Sequence, residues 1–375
     1  MKYIDEFRDG AAARGLARQI AQETRPDREY RLMEFCGGHT HAIYRYGVPD
    51  LLPPGVRMIH GPGCPVCVLP IGRLNMALEL VARPQVTLCS YGDMLRVPGS
   101  GGQSLLKAKA AGADIRMIYS AADALTLAQR HPDREVVFFA IGFETTTPPT
   151  ALVIQRAAEL DLPNFSVFCN HVLTPAAIAH LLAAPEARAL DTVPIDGFLG
   201  PAHVSVVIGS RPYEGFARDH RKPVVISGFE PLDVLQSILM LVRQLNEGRA
   251  EVENQYTRAV TRDGNLKAQR LMAEIFEPRS VFEWRGLGLV PHSALKIRES
   301  YARFDVEHRF PLTYQAASEH RACQCGAILR GVKKPTDCKL FDTVCTPENP
   351  LGSCMVSSEG ACAAYYRYGR YQGAA

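Results

Sequence analysis

Short apolar runs alternate with helical segments over most of this 375-residue chain, and this alternation limits the fold more than any other feature. Eight runs have the length and composition of strands: 31–35, 56–60, 86–90, 115–119, 135–141, 165–169, 195–199 and 224–227. The spacing of apolar residues between them predicts helices over 73–82, 104–111, 121–129, 149–160, 175–183 and 231–245. Because strands that alternate with helices usually pair in parallel and are covered on both faces, we predict an α/β fold.

The rhythm of the alternation favours two Rossmann-like α/β lobes with parallel sheets facing a central cleft, although a single eight-stranded sheet stays an alternative. We expect an N-terminal helix in residues 1–29, packed on the C-terminal region. Lobe I would then occupy residues 30–125 and lobe II residues 126–228. Residues 229–375 would form a charged, mainly helical region followed by a loop-rich domain.

Composition excludes some classes of function. The net charge of +3 is spread over the chain and no basic block is interleaved with aromatic residues, so nucleic acid is not an expected partner. No run approaches the roughly 18 apolar residues of a membrane span, and the N-terminus is acidic where a signal peptide would need an apolar core. We therefore expect a cytoplasmic protein. Eleven cysteines in such a chain indicate metal or catalytic thiols, because cytosolic reductants keep structural disulfides open.

Two thiol-bearing loops each follow a strand-like run. Cys36 and His39 come after the first predicted strand, and Cys64 and Cys67 come after the second. Thiolate and imidazole suit soft metals, whereas two cysteines separated by two residues can also form a redox-active disulfide. The loops therefore predict a soft-metal or redox site. For Cys64 and Cys67, a structural zinc half-site and inert thiols stay open; for Cys36 and His39, the simpler interpretation is a partly buried thiol and a loop imidazole.

Further polar groups follow later strands. Glu144 comes directly after the strand 135–141, where it either complements the dipole of the next helix or acts as a cleft carboxylate. As a cleft carboxylate it would bond a metal ligand or accept protons. Similar groups end three other strands and suggest one lined cleft: Asn170, His171, His203 and Glu230. The glycine-rich stretch 99–103 predicts a flexible turn, with phosphate binding as the weaker alternative.

Six cysteines lie among turn-forming residues in the segment 323–362, which we call the cysteine segment. Four thiolates in a loop-rich domain suit either tetrahedral zinc or an iron–sulfur cluster. Structural zinc commonly uses two tight Cys-x-x-Cys pairs, which this segment lacks, so the wide spacing favours a C-terminal 4Fe–4S domain. The four predicted ligands are Cys325, Cys338, Cys345 and Cys362. Cys323 and Cys354 are then left over, either as a redox-active pair beside the cluster or without a role.

Five motifs occur together in one order: Cys36-Gly37-Gly38-His39-Thr40-His41, Gly61-Pro62-Gly63-Cys64-Pro65-Val66-Cys67, Gly142-Phe143-Glu144-Thr145-Thr146, Cys345 to Pro350, and Cys354 to Cys362. With this combination the chain resembles the HypD family of hydrogenase maturation proteins from the first helix to the C-terminus. The resemblance implies a redox-active assembly scaffold rather than a conventional turnover enzyme. Such a scaffold would build the Fe(CN)2CO unit of nickel–iron hydrogenases together with a HypC-type small chaperone. HypE, with HypF, would provide cyanide, and the hydrogenase large subunit would be an indirect partner.

Carried over by motif, the resemblance makes Cys36 the iron-binding thiolate, His39 its neighbour, and Cys64 with Cys67 a thiol/disulfide pair. It also implies two α/β lobes and a 4Fe–4S domain similar to that of ferredoxin–thioredoxin reductase. Because Cys36 would lie near a helix start and beside imidazoles, we expect its thiol pKa to be lowered. Two other functions stay open, namely a stand-alone thiol–disulfide oxidoreductase and a zinc-stapled interaction protein.

Overall fold

The computed structural model describes residues 4–183 and 194–369. Residues 1–3 and 370–375 of the predicted terminal regions, and residues 184–193 of the predicted lobe II, therefore lie outside the described residues. Within these residues, two parallel sheets are built from β1 (Tyr30–Glu34), β2 (Val56–His60), β3 (Val86–Ser90), β4 (Ile115–Met117), β5 (Glu135–Gly142), β6 (Phe165–His171), β7 (Gly197–Pro201), β8 (Val224–Ser227) and β9 (Val252–Asn254). The first sheet has the strand order β2-β1-β7-β8-β9, and the second has the order β4-β3-β5-β6. All neighbouring strands are parallel, which confirms the predicted α/β fold.

The chain is divided between the two sheets differently from the predicted lobes 30–125 and 126–228. Residues 30–125 contribute β1 and β2 to the first sheet but β3 and β4 to the second. After β5 and β6 the chain returns to the first sheet, where β7 pairs with β1 and places Gly197 beside Leu32. The expectation that residues 30–125 and 126–228 each supply one sheet is therefore wrong. Apolar periodicity predicts that a strand exists, but it does not predict the partner of that strand.

Helices flank both sheets and begin where the sequence offers capping groups. Ser120 and Asp123 form a capping box at the start of one helix, and Asn265 caps another. The longer helices are Gly10–Glu23, Gly37–Arg45, Ile71–Val81, Leu105–Ala110, Ala121–Arg130, Thr147–Glu159, Thr174–Ala183, Ala202–Ile208, Arg211–His220, Pro231–Glu247, Leu266–Ile275 and Cys325–Leu329. Single helical turns are Val48–Leu51, Pro65–Val68, Gly92–Leu95, Val306–Arg309 and Ala361–Ala364.

The N-terminal helix Gly10–Glu23 packs on helix Pro231–Glu247, which contributes to the core of the first sheet. Ile20 and Tyr30 are fully buried in this core. The Tyr30 hydroxyl also lies 2.5 Å from Oδ1 of Asn246, in the last turn of helix Pro231–Glu247. These contacts attach the N-terminal helix to the sheet that carries both predicted thiol loops.

The chain after helix Leu266–Ile275 folds back on itself in short antiparallel pairs. β10 (Phe276–Pro278) pairs with β13 (Leu295–Ile297), and β11 (Val281–Trp284) pairs with β12 (Gly288–Pro291). The sequence predicted mainly helices here, because strands of three or four residues are too short to show a period of two. Among the described residues, no helix combines the length and the apolar character needed to cross a membrane.

Candidate metal and thiol site

The first two strands bring the two predicted thiol loops together. β1 and β2 are parallel neighbours with Glu34 beside His60, so the loops that follow them leave the same edge of the sheet. The amide of Gly37 donates to the carbonyl oxygen of Gly63 at 3.1 Å. A Cβ at Gly63 would lie 2.3 Å from the nitrogen of Cys36, so only glycine fits there. The two loops are therefore in direct backbone contact.

Cys36 is a buried thiol at the start of helix Gly37–Arg45. Its sulfur accepts from the amide of Gly38 at 3.3 Å and lies 3.5 Å from Nδ1 of His203. His203 lies in the first turn of helix Ala202–Ile208, which follows β7, so an imidazole distant in sequence makes this contact. A Cβ at Gly38 would lie 3.0 Å from the ring of Phe229, which shows that this ring packs beside the thiol loop.

His39 lies in the first turn of the same helix and is fully buried. Its Nε2 is 3.1 Å from the carbonyl oxygen of Ser227 and 3.0 Å from that of Gly228, so this nitrogen carries the proton. Within the described residues, Nδ1 has no hydrogen-bond partner. The ring of Phe229 contacts the imidazoles of His39 and His203, at centroid distances of 4.7 and 5.2 Å. A buried imidazole nitrogen with a free lone pair is a donor that a soft metal accepts.

The electrostatics around Cys36 differ from the prediction. Burial, followed by the negative charge of Glu359, raises the pKa of the Cys36 thiol well above its ordinary value, and the amide of Gly38 offsets only part of this effect. Burial also lowers the pKa of His203 to about 4, so this imidazole is neutral at pH 7. The expected lowering of the thiol pKa is therefore wrong, because burial outweighs the helix start. A cation at the sulfur would favour the thiolate.

Cys64 and Cys67 form a disulfide, and their Cα atoms are 5.2 Å apart. Cys64 caps the helical turn Pro65–Val68, and both cysteines are buried. The disulfide adjoins the cysteine segment, since Ser353 donates its hydroxyl to the carbonyl oxygen of Cys67 at 2.9 Å. With both sulfurs in a disulfide, no thiolate is left for zinc, so this arrangement fits a redox pair better than a zinc half-site.

Glu144 caps a helix that lies later in the chain. It accepts from the backbone amide of Thr174 at 2.8 Å and from the Thr174 hydroxyl at 2.9 Å, at the start of helix Thr174–Ala183. Burial raises the pKa of Glu144 to about 7. The sequence suggested that Glu144 complements the dipole of the helix directly after it. In the structure it bonds instead to the start of the helix that follows β6.

Five thiols of the cysteine segment converge on one buried space, which we call the thiol cavity. It is lined by Cys323, Cys325, Cys338, Cys345 and Cys362, together with Ile328, Leu340, Phe341 and Met355. Its wall carries no side chain at Gly352, where a Cβ would lie 2.5 Å from two of these sulfurs. Several thiols around one apolar space suit an iron–sulfur cluster. Among the described residues, no three His, Cys, Asp or Glu side chains are placed to hold a single metal ion.

All four predicted cluster ligands line the thiol cavity, and Cys323 is a fifth thiol there. Cys354 is fully buried and lies within hydrogen-bonding reach of Cys325 and Cys362. Which four thiols would bind a cluster therefore stays a prediction. Because Cys354 follows Ser353, which bonds Cys67, two consecutive residues join the thiol cavity to the disulfide.

Sequence reasoning missed a buried carboxylate beside this site. Glu34 is fully buried at the end of β1, accepts the amide of Cys36 at 3.0 Å and lies 2.6 Å from Nδ1 of His60. Thr40 donates its hydroxyl to the same carboxylate, and the hydroxyl of Tyr44 lies 2.7 Å from Nε2 of His60. These bonds hold the Cys36 loop against β2. The signal in the sequence was an acidic residue among the apolar residues Leu32, Met33 and Phe35.

The fold and the site together define an α/β protein with two parallel sheets, in which a disulfide and several further cysteines lie close together. The family described as "Hydrogenase formation hypA family", HypD, matches residues 11–369. Hydrogenase maturation factor HypD of Cupriavidus necator is 68% identical over 372 residues, which cover 99% of this chain and 98% of that protein. HypD of Azotobacter vinelandii is 70% identical over 370 residues, covering 99% and 97%. HypD of Escherichia coli K12 is 46% identical over 374 residues, covering 98% of each chain. The chain therefore belongs to the HypD family of hydrogenase maturation factors.

Proposed function

We propose that this protein is a cytoplasmic scaffold on which the Fe(CN)2CO moiety of [NiFe]-hydrogenases is assembled, together with a HypC-type small chaperone. One observation supports this function most strongly. The Cys36 loop touches the loop of the Cys64–Cys67 disulfide, and the disulfide is hydrogen-bonded to the cysteine segment. A thiol that can hold iron and groups that can move electrons thus belong to one site.

The iron is the cargo of this scaffold, and Cys36 would hold it jointly with a thiolate of the small chaperone. Iron that accepts cyanide and carbon monoxide needs electron-rich donors, which thiolate provides. The surroundings of Cys36 suit this task, because His203 and His39 are both kept neutral by burial. Nδ1 of His39 is free to accept a bond, and the ring of Phe229 helps to exclude water.

The Cys64–Cys67 pair would give redox support. Reduction of this disulfide takes up two electrons and two protons, breaks the S–S bond and leaves two thiols. A 4Fe–4S cluster in the thiol cavity, held by the four predicted cysteines, would supply those electrons one at a time. Ser353 fixes the backbone of Cys67 beside the cysteine segment. In this function HypE, with HypF, would provide cyanide, and the hydrogenase large subunit would receive the product indirectly.

A second candidate function is a stand-alone thiol–disulfide oxidoreductase. The contact between Ser353 and Cys67 favours it, because this contact links the disulfide to the cysteine segment without involving Cys36. In that function Cys36 would bind no iron. The two candidates therefore differ in what they expect from the replacement of Cys36.

Infrared spectroscopy of the protein co-purified with its small partner tests the scaffold. We expect stretching bands of iron-bound cyanide and carbon monoxide, and we expect them to vanish in Cys36→Ala while the visible absorbance of the iron–sulfur group persists. Cys89→Ala is the matched control, because Cys89 is a buried thiol in the middle of β3 and should leave the bands unchanged. Bands that survive in Cys36→Ala would remove Cys36 from its proposed role and favour the oxidoreductase.

A further inference from the structure

A surface groove leads to the thiol cavity. It is formed by the glycine-rich turn 98–102 with Lys107, by Arg285, and by residues 318–321, 323 and 349–352 of the chain around the cysteine segment. We call it the basic groove. Among the described residues, Cys323 lines both the groove and the thiol cavity. Gly352 also lines the groove, and a Cβ there would lie 2.5 Å from the sulfurs of Cys323 and Cys325. No side chain at this position separates the groove from the thiols.

The basic groove carries positive charge. Lys107, Arg285 and Arg321 line it, whereas Glu319 is the one carboxylate among its described lining residues. Lys107 and Arg321 are exposed, so their charges face an incoming partner. This local excess matters because the whole chain has a net charge of only +3. Clustered charge of one sign in a groove steers partners of the opposite sign.

Arg285 adds a buried positive charge to the basic groove. Its side chain is only 4% exposed, and its Nε donates to the carbonyl oxygen of Leu69 at 2.9 Å. Nη2 has no hydrogen-bond partner among the described residues, and the nearest carboxylate oxygen, from Glu319, is 3.8 Å from Nε. Because Nη2 is itself buried, Arg285 contributes positive charge to the groove rather than a hydrogen bond to a docked partner.

We propose that the basic groove docks a small acidic electron-carrier protein of the iron–sulfur class, and that electrons enter beside Cys323. The proposal rests on the iron–sulfur role proposed for the cysteine segment. Each encounter would oxidise the carrier by one electron, and a 4Fe–4S cluster held by the four predicted cysteines of the thiol cavity would pass that electron on. Two encounters, with two protons from solvent, convert the Cys64–Cys67 disulfide into two thiols.

The layout of the charges favours a protein partner over a small anion. Lys107 and Arg321 lie on separate segments of the chain and are exposed, which suits contact with an extended acidic surface. Cys323 is only half-buried and lines the groove, and electron transfer needs close approach rather than entry of the donor into the cavity. Complementary charge raises the association rate of such short-lived complexes.

The test compares Lys107→Glu/Arg321→Glu with the control Arg130→Glu/Arg156→Glu, whose exposed arginines do not line the groove. A plant-type [2Fe–2S] ferredoxin serves as the acidic probe. Calorimetry with the oxidised probe measures Kd, and alkylation of Cys64 and Cys67 followed by mass spectrometry measures thiols formed with the reduced probe. At low salt we expect the groove variant to bind the probe about tenfold more weakly, and the control to bind it as the unchanged protein does. The difference in Kd should disappear at about 0.5 M salt, where the charges are screened.

Equal binding by the groove variant and the unchanged protein, or an equal loss in the control, would overturn the docking proposal. If binding depends on the groove but no thiols form, the docking site is supported and the iron–sulfur role is contradicted. If thiols form but binding does not depend on the groove, the iron–sulfur role is supported and the docking site is contradicted. Saturable binding of inorganic phosphate without binding of ferredoxin would show a small-anion site and overturn the proposal. The milder pair Lys107→Ala/Arg321→Ala, expected to weaken binding about threefold, guards against a folding defect in the charge-reversed variant.

Discussion

Among the described residues, three carboxylates have almost no exposure to water, and each has different hydrogen-bond partners. Glu34 accepts the amide of Cys36 and contacts the imidazole of His60, and Asp233 receives two bonds from Arg258. Glu144 accepts from the amide and hydroxyl of Thr174 and from its own backbone amide. Because burial without a neighbouring cation disfavours the charged form, the pKa of Glu144 is raised.

This difference predicts a pH dependence of stability. The pKa of Glu144 is raised by burial to about 7, whereas a carboxyl group of this type in an unfolded chain has a pKa near roughly 4.3. Between these values the folded state binds more protons than the unfolded state, so the free energy of unfolding falls as pH rises and levels off above about pH 7. Glu144→Gln keeps an oxygen that can accept from Thr174 but cannot ionise. It should therefore stabilise the protein at pH 8 by about 1–2 kcal/mol.

Thermal unfolding of both proteins between pH 5 and 8 measures this effect. The advantage of Glu144→Gln should be small at the acidic end and grow with pH. Glu159→Gln is the control, since Glu159 is exposed at the end of helix Thr147–Glu159 and should show no such trend. A difference that stays constant over the pH range would mean that Glu144 does not titrate in this window.

The individual elements were largely predictable from sequence, but their partners were not. The predicted strands 56–60, 86–90 and 224–227 coincide with β2, β3 and β8, because each is a short apolar run rich in residues that favour strands. Pairing in a parallel sheet depends on residues far apart in the chain, so the neighbours of β1 could not be read from periodicity. For the same reason the contact between Cys36 and His203 was missed, although both residues were noted as polar groups at strand ends.

The loop between β8 and helix Pro231–Glu247 shows how elements position the site. Asp233 in the first turn of the helix is fully buried, and Arg258 donates to both of its oxygens at 2.9 and 2.6 Å. The guanidinium lies against the rings of Phe7 and Tyr256, at 4.1 and 3.9 Å from their centroids. These contacts join the N-terminal segment to the loop that carries Phe229 over the thiol site.

We therefore predict that Arg258→Ala destabilises the protein by about 2–3 kcal/mol, because it leaves the carboxylate of Asp233 buried without its cation. Phe229 should also become more mobile, so that Cys36 reacts faster with a thiol reagent. Urea unfolding and the rate of Cys36 alkylation measure the two effects. Arg218→Ala, which removes a guanidinium that is 78% exposed, should change neither quantity. Unchanged alkylation together with lowered stability would separate Arg258 from the positioning of Phe229.

At the scale of the molecule, the site lies where the first sheet meets the cysteine segment. The loops after β1, β2, β7 and β8 all contribute residues to it, namely Cys36, the Cys64–Cys67 disulfide, His203 and Phe229. The sequence predicted one lined cleft from polar groups at strand ends. In the structure, Glu144 accepts from Thr174, and Asn170 accepts from the guanidinium of Arg73 at 2.5 Å, because buried polar groups need local partners.

The contact between the disulfide loop and the cysteine segment predicts a defined route for electrons. The thiol cavity and the disulfide are connected through Cys354 and Ser353, so reduction of the disulfide by a one-electron donor should depend on the group held in the cavity. Cys338→Ala removes one of the four predicted ligands. We expect this variant to lose iron and inorganic sulfide, and its Cys64–Cys67 disulfide to become nearly inert toward a reduced viologen. Quantification of free thiols over time gives the rate.

Dithiothreitol provides the comparison that makes this result specific. It reduces disulfides by thiol exchange, without one-electron steps, so it should open the Cys64–Cys67 bond equally well in Cys338→Ala and in the unchanged protein. Cys89→Ala, which alters a buried thiol of β3, should keep its iron and both modes of reduction. If viologen reduced the disulfide of the iron-free variant at the original rate, electrons would reach Cys64 and Cys67 directly. The cysteine segment would then support the disulfide loop by packing and not by electron transfer.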